Sequence, residues 1–172
     1  MTRPGTSNML KKLSEKTKPI ITDTSPLLLL LIGLYDKNVI ESFKRLSRYD
    51  SYDYDLLLQF ITRRKIIVTP QVLSEVSNFA NRLKPNKFSE FIEENKPTLE
   101  KIDEKYIPKT DILASQEIVK FGFTDTSIIL AAKETNALVL TDDYALLGKC
   151  KKIGLDTMPM DEILSQKEIF KT

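Results

Sequence analysis

Three short runs in this chain are apolar almost throughout, without the in-and-out alternation of a strand that faces water on one side. They are "KPII" at 18–21, "RKIIVTP" at 64–70 and "NALVLTDD" at 136–143. Strands of this kind are covered on both faces, which is the condition of a parallel sheet sandwiched between helices. A fourth stretch, "GLDTMPMDEIL", reads as a short last strand followed by a turn of helix. Strand followed by helix, repeated, is the pattern of an α/β domain.

The intervening segments carry helical spacing. Ser25-Pro26 and Thr69-Pro70 each place a capping hydroxyl before a proline suited to the first helical position. "LLLLLIGLY" follows the first and "QVLSEVSNFANRL" the second, the latter with apolar residues at 72, 73, 76, 79, 80 and 83. "TDTSIILAAKETN" repeats the pattern, with Asn136 as its stop. Residues 37–63 and 84–120 read as helices and loops: "VIESFKRLSRY", "DYDLLLQFITRR", "KFSEFIEE" and "DILASQEIVKFG" all have helical apolar spacing. The expected organisation is a flexible segment at 1–17, then one domain over 18–172 with helical insertions at about 37–63 and 84–120.

Composition narrows the chemistry. The 172 residues are 41% hydrophobic and 29% charged, an ordinary balance for a globular core, and the net charge of +2 does not by itself point to a polyanionic partner. The apolar run from Leu27 to Ile32 is far short of the ~20 residues that cross a bilayer, so it reads as a buried helix. With one cysteine there is no internal disulfide, and a reducing cytoplasm is the expected location. The opening segment lacks the apolar centre of a secretory signal. There is no histidine, which removes Ser-His-Asp and Cys-His catalysis and imidazole metal ligation. Enzymatic work in this chain would fall to carboxylates.

Those carboxylates recur at similar junctions. The tetrapeptide TDTS occurs twice, at 22–25 and 124–127, and TDD stands at 141–143. In an open α/β sheet ligands sit beyond the carboxyl ends of the strands. Asp23 and the Asp142–Asp143 pair follow strands, Asp125 opens a later helix, and Glu75 lies about one and a half turns into the helix after the second strand. Each aspartate alone is explained by a turn or a helix cap. A capping role does not reach Glu75. Gathered at one edge, these acids would repel one another unless a hard divalent cation balanced them, and Mg²⁺ or Mn²⁺ with oxygen ligands is the natural choice.

Other α/β classes fit less well. No Gly-rich phosphate loop follows a strand, the acidic pair expected after the first strand of a receiver domain is missing, and "DTS" lacks the second aspartate of an aspartyl phosphatase.

Taken in order, "IITDTSPLLL", "TPQVLSEV", "FTDTSIILAA" and "LVLTDDYALL" resemble the PIN domain over about residues 18–160. That is the metal-dependent ribonuclease domain of many toxins of toxin-antitoxin pairs and of RNA-processing factors. The resemblance implies a three-layer α/β/α sandwich with a central parallel sheet of four or five strands. It implies that Asp23, Glu75, Asp125 and Asp143 are catalytic and bind Mg²⁺ or Mn²⁺, with Asp142 beside them and Thr24, Ser25 and Thr141 as polar supports. The extra length at 37–63 and 84–120 sets the chain apart from the smallest toxins. The expected activity is metal-dependent endoribonucleolytic hydrolysis, and the alternative is a PIN-fold module that binds RNA or protein in RNA processing without turnover.

RNA needs cations around an acidic pocket, for which Arg63, Arg64, Lys65, Lys149, Lys151 and Lys152 are candidates, and stacking platforms, for which Tyr49, Tyr52, Tyr54 and Tyr144 are available. By resemblance a homodimer is expected, and a toxin would carry an antitoxin partner. The apolar face of "SFKRLSRYDSYDYDLLLQF" is either such a surface or a helix packed on the sheet.

Overall fold

The computed structural model describes residues 18–165. The expected flexible segment at 1–17 and the last residues of the expected domain, 166–172, lie outside the described residues. β1 (Ile20–Thr22) leads into α1 (Thr24–Tyr35), two 3₁₀ turns (Lys37–Val39 and Lys44–Leu46) and α2 (Ser51–Ile61). Then come β2 (Ile66–Val68), α3 (Pro70–Ala80), α4 (Lys87–Leu99), β3 (Asp103–Glu104), α5 (Lys109–Ala114) and α6 (Ile118–Thr135). The order closes with β4 (Leu138–Thr141), α7 (Tyr144–Lys152), β5 (Thr157–Pro159) and α8 (Met160–Leu164).

The strands form one five-stranded sheet in the order β3-β2-β1-β4-β5, and every pair is parallel. Consecutive residues of β1 and of β4 are all buried, so both faces of the central strands are covered by helices, as their unbroken apolar runs require. α1 is buried from Thr24 to Gly33, which accounts for a helix apolar on every side rather than on one stripe. Its close fit is visible at Gly33, where a Cβ would stand 2.1 Å from Cδ2 of Tyr54 on α2. Tyr54, Leu56 and Leu57 are buried in the core, so the apolar face of the 42–60 stretch is spent inside the domain. No helix is long and apolar enough to cross a membrane among the described residues.

Several elements differ from expectation. α1 begins one residue earlier than Ser25-Pro26 suggests: Asp23 is the N-cap and accepts from the Thr24 amide, so Ser25 and Pro26 lie inside the first turn. Thr69 does cap α3, with Pro70 at its first position. "VIESFKRLSRY" runs from the end of one 3₁₀ turn through a second instead of forming an α-helix, since the backbone is extended at Phe43 and again at Asp50, whose reciprocal capping box with Asp53 starts α2 afresh. β3 falls in the acidic stretch read as helix and loop. It is two residues long and exposed, with Asp103 ion-paired to Lys65, and has no apolar run to announce it. The second TDTS opens a helical segment, as expected of Asp125, but not at the start of a separate helix. α6 is instead broken at Gly122 (φ 71°, ψ −173°), a conformation nearly confined to glycine, and the tetrapeptide opens the helical segment beyond the break.

Candidate active site

Because β1 leads to β2 on one side and the chain later returns to lay β4 on the other, the sheet's direction of growth reverses between β1 and β4. A crevice opens beyond the carboxyl ends of two such strands, and the residues that leave them line it. Asp23 leaves β1 and Asp142 and Asp143 leave β4, while the Asp23 amide donates to the Leu140 carbonyl at 2.9 Å and so fixes the mouth of the crevice. The cavity there has a volume of about 320 Å³ and is lined by Asp23, Thr24, Ser25, Glu75, Asp125, Asp142 and Asp143, together with Arg45 and Arg48. All five acids expected from the sequence are thus brought to one place.

Glu75 is held by both copies of the repeated tetrapeptide. The Thr24 hydroxyl of the first copy donates to Oε2 at 2.8 Å and the Thr124 hydroxyl of the second to Oε1 at 2.5 Å. A third tie runs beneath: Ser127 Oγ donates to the Thr124 carbonyl at 2.6 Å, which leaves Thr69 Oγ1 as the donor in its 2.8 Å contact with Ser127. Thr69 caps the helix that carries Glu75, so α3 and the second copy are locked to each other. The two copies are not equivalent, since Thr22 ends a strand and turns its hydroxyl to the Asp23 carbonyl at 3.0 Å.

Asp23 is 8% exposed and has a donor on each oxygen, the Thr24 amide at 2.6 Å and the Thr141 hydroxyl at 2.6 Å. Burial nonetheless raises its pKa. The two hydrogen bonds oppose the rise, and the nearby Asp142 and Glu75 add to it. Asp125 has no such donors among the described residues, and its pKa is pushed up to about 7, first by burial and then by the charges of Asp23, Asp143 and Glu75. Thr141 serves a second purpose by accepting from the Asp143 amide at 3.0 Å.

The acids of the TDD motif differ from each other. Asp143 caps α7, with Oδ1 accepting from the amides of Ala145 (2.7 Å) and Leu146 (3.0 Å). Asp142 Oδ2 accepts from the Tyr49 hydroxyl at 2.6 Å and lies 3.7 Å from the Arg48 guanidinium. Burial and that hydrogen bond hold the Tyr49 phenol far above the ordinary tyrosine range, so it remains a donor.

Among the cations, the structure separates the expected from the actual. Arg63, Arg64 and Lys65 precede β2 and therefore stand at the opposite edge of the parallel sheet from residues that follow strands. Arg64 packs over Phe60 and Lys65 pairs with Asp103. Lys149 pairs with Glu117 at 2.6 Å, outside the acidic cavity. Arg45 and Arg48 take the place at the cavity, the first 5.1 Å over the Phe79 ring and the second 5.0 Å over Tyr49. Their signal was the i, i+3 spacing in "KRLSR", hidden by reading that stretch as an ordinary amphipathic helix. Of the tyrosines, Tyr49 and Tyr54 are buried, whereas Tyr52 and Tyr144 are exposed.

No family model and no curated protein matches the chain. Eleven chains of solved structures do. One is a domain of a functionally unknown protein from Methanocaldococcus jannaschii, 22% identical over 83% of this chain and 91% of that one, with a TM-score of 0.44. Another is a PilT N-terminus domain protein from the archaeon Sulfolobus solfataricus, 14% identical over 86% of this chain and 91% of that one, with a TM-score of 0.43. At these scores the likeness does not extend to individual side chains, and the roles below rest on this chain's own geometry.

Proposed function

We propose that the chain is a PIN-type endoribonuclease that hydrolyses RNA phosphodiester bonds with Mg²⁺ or Mn²⁺. The reading is carried by one observation: Asp23, Glu75, Asp125, Asp142 and Asp143 line a single cavity at the switch point of the sheet. Its lining among the described residues is rich in carboxylate and free of sulfur and imidazole, which is the chemistry of a hard cation's site. Among the described residues no three acidic or cysteine side chains stand close enough to enclose an ion. The cavity therefore suits a hydrated ion attached through one or two carboxylates, the mode usual for Mg²⁺. Asp125 is the foremost candidate for direct contact, since none of the described residues donates a hydrogen bond to it and three neighbours oppose its charge, and Asp23, Glu75 and Asp143 would hold the ion directly as a second carboxylate or through its waters. A bound ion supplies Lewis acidity and a water of lowered pKa.

The chain's own residues do the rest. Thr24 and Thr124 fix both oxygens of Glu75, and Thr141 and the Thr24 amide fix those of Asp23, so neither carboxylate has to reorganise when substrate arrives. Asp142, engaged by Tyr49 and Arg48, acts by orienting the arginine. Arg45 and Arg48 put positive charge at the mouth of an acidic cavity, where an incoming phosphate requires it. A toxin role would add an inhibitory protein laid over this same cavity.

The test is cleavage of a labelled single-stranded RNA with Mn²⁺, with Mg²⁺ and with chelator, beside Asp125→Asn of equal folded content. Metal-dependent cleavage that disappears in the variant is the expected result. Absence of cleavage with either metal on several RNAs would leave a PIN-fold module that binds without turnover.

A further inference from the structure

A second groove, of about 480 Å³, lies between the start of α6 and the exposed side of α7. From α7 it is lined by Tyr144, Ala145, Gly148, Lys149 and Lys152, which at that spacing form one stripe along the helix, roughly 12 Å long at ~1.5 Å per residue. Lys120 and Phe121 face them from α6, with the Lys120 ammonium 5.3 Å from the Phe121 ring centre. Glu117 is the one acid on the lining, and Lys149 neutralises it at 2.6 Å. Lys120 and Lys152 are exposed and carry the remaining positive charge. Lysines at a helix C-terminus are favourable for the helix itself, which explains Lys151 as well as Lys149. It does not explain why the side of α7 facing Lys120 and Phe121 is interrupted by a glycine.

Tyr144 joins the groove to the acidic cavity. It follows Asp143 directly, the residue is 69% exposed, and its hydroxyl is tied to Asp161, whose carboxylate also meets Arg48 at 3.3 Å. Arg48 in turn reaches Asp142 at the cavity wall. An exposed aromatic face anchored at its far end is a preorganised platform, and base stacking on such faces tolerates any sequence.

We propose that this groove guides one strand of single-stranded RNA to the acidic cavity, with Tyr144 stacking a base at the junction and Lys120 and Lys152 contacting successive phosphates. It rests on the nuclease reading for the cavity, and it assigns the track by which substrate arrives. Gly148 forms the floor at mid-groove: a Cβ there would meet nothing within 4 Å, leaving open the space that a strand would occupy.

The test is fluorescence anisotropy of labelled oligouridylate in chelator, where no cleavage intervenes. Gly148→Glu places an acid in the groove at an unobstructed helical position, and the circular dichroism melt checks that the variant is folded. It is expected to weaken binding severalfold, Tyr144→Ala to weaken it about tenfold, and Lys120→Ala or Lys152→Ala to lower the salt slope by ~0.7 each. Lys101→Glu, before β3 at the opposite edge of the sheet, is expected to leave affinity unchanged. Wild-type affinity in Gly148→Glu and Tyr144→Ala, no binding by the wild type, or equal losses for an RNA duplex would each overturn the single-strand track. Groove-dependent binding without cleavage in any metal would instead keep the track and overturn the nuclease.

Discussion

The site's behaviour at the scale of single residues follows from which carboxylates have donors. Asp125 has none among the described residues, and its pKa of about 7 stands above the ordinary 3.8. Between those values the folded protein holds a proton that the unfolded chain has released, so this group's contribution to stability falls as pH rises across the window and levels off above it. Asp125→Asn is therefore expected to melt at nearly the wild-type temperature at pH ~4 and several degrees above it at pH ~8, where relief of repulsion is complete. Equal shifts at both pH values would mean that charge is not the cause. Threonine to valine changes probe the opposite case. Thr141→Val leaves Asp23 Oδ2 buried with no donor, a loss of about 1–3 kcal/mol in urea denaturation. Thr124→Val removes one of two donors from the half-buried Glu75 and is expected to destabilise by about 1 kcal/mol while lowering cleavage about tenfold. In a double-mutant cycle with Thr24→Val the two losses should not add, since both hydroxyls hold one carboxylate.

Among elements, the glycines mark where helices meet or break. Gly33 lets α1 approach α2, and Gly33→Ala would press its methyl into the buried Tyr54 ring, an overpacking expected to cost about 1–3 kcal/mol by urea denaturation. Gly122 sets the start of the helical segment that presents Asp125, and Gly122→Ala is expected to cost about 1–3 kcal/mol and to depress metal-dependent cleavage along with stability. Gly148→Ala, by contrast, sits in open space inside α7 and should stabilise by about 0.5–1 kcal/mol. A melt that falls with this last change would contradict the open geometry of the groove. These positions also show what could be read from the chain alone. β1, β2 and β4 announce themselves because they are buried on both faces and therefore apolar without alternation. β3 could not, because a two-residue edge strand buries nothing. Gly122 looked like any glycine in a helical stretch, since its meaning lies in a dihedral angle. The acids were legible because TDTS and TDD repeat, and Glu75 because no capping role reaches it. Arg45 and Arg48 were not, because what brings them to the cavity is the pair of 3₁₀ turns that replaces the expected helix.

At the scale of the whole molecule, the strand order decides why the acids meet. Residues that follow strands of a parallel sheet share an edge, and those that precede them share the other. This is why Lys65 and Asp103 pair far from the cavity while Asp23 and Asp142 line it. A fold arranged so concentrates unfavourable charge at one end, with only Arg45 and Arg48 among the described residues lining the cavity to oppose it, and leaves the domain less stable than its core alone would make it. A cation that binds the native state alone must raise the melting temperature, by RT ln(1 + [L]/Kd) in free energy, or about 2.7 kcal/mol at a hundredfold excess over Kd. Because binding must displace the proton that Asp125 holds below about pH 7, the rise on adding Mn²⁺ is expected to be larger at pH ~8 than at pH ~6. It should shrink sharply in Asp125→Asn and remain in Lys65→Ala at the far edge. Thermal melts with Mn²⁺ and with chelator at the two pH values test this directly. A rise that is independent of pH and survives Asp125→Asn would place the cation elsewhere on the surface.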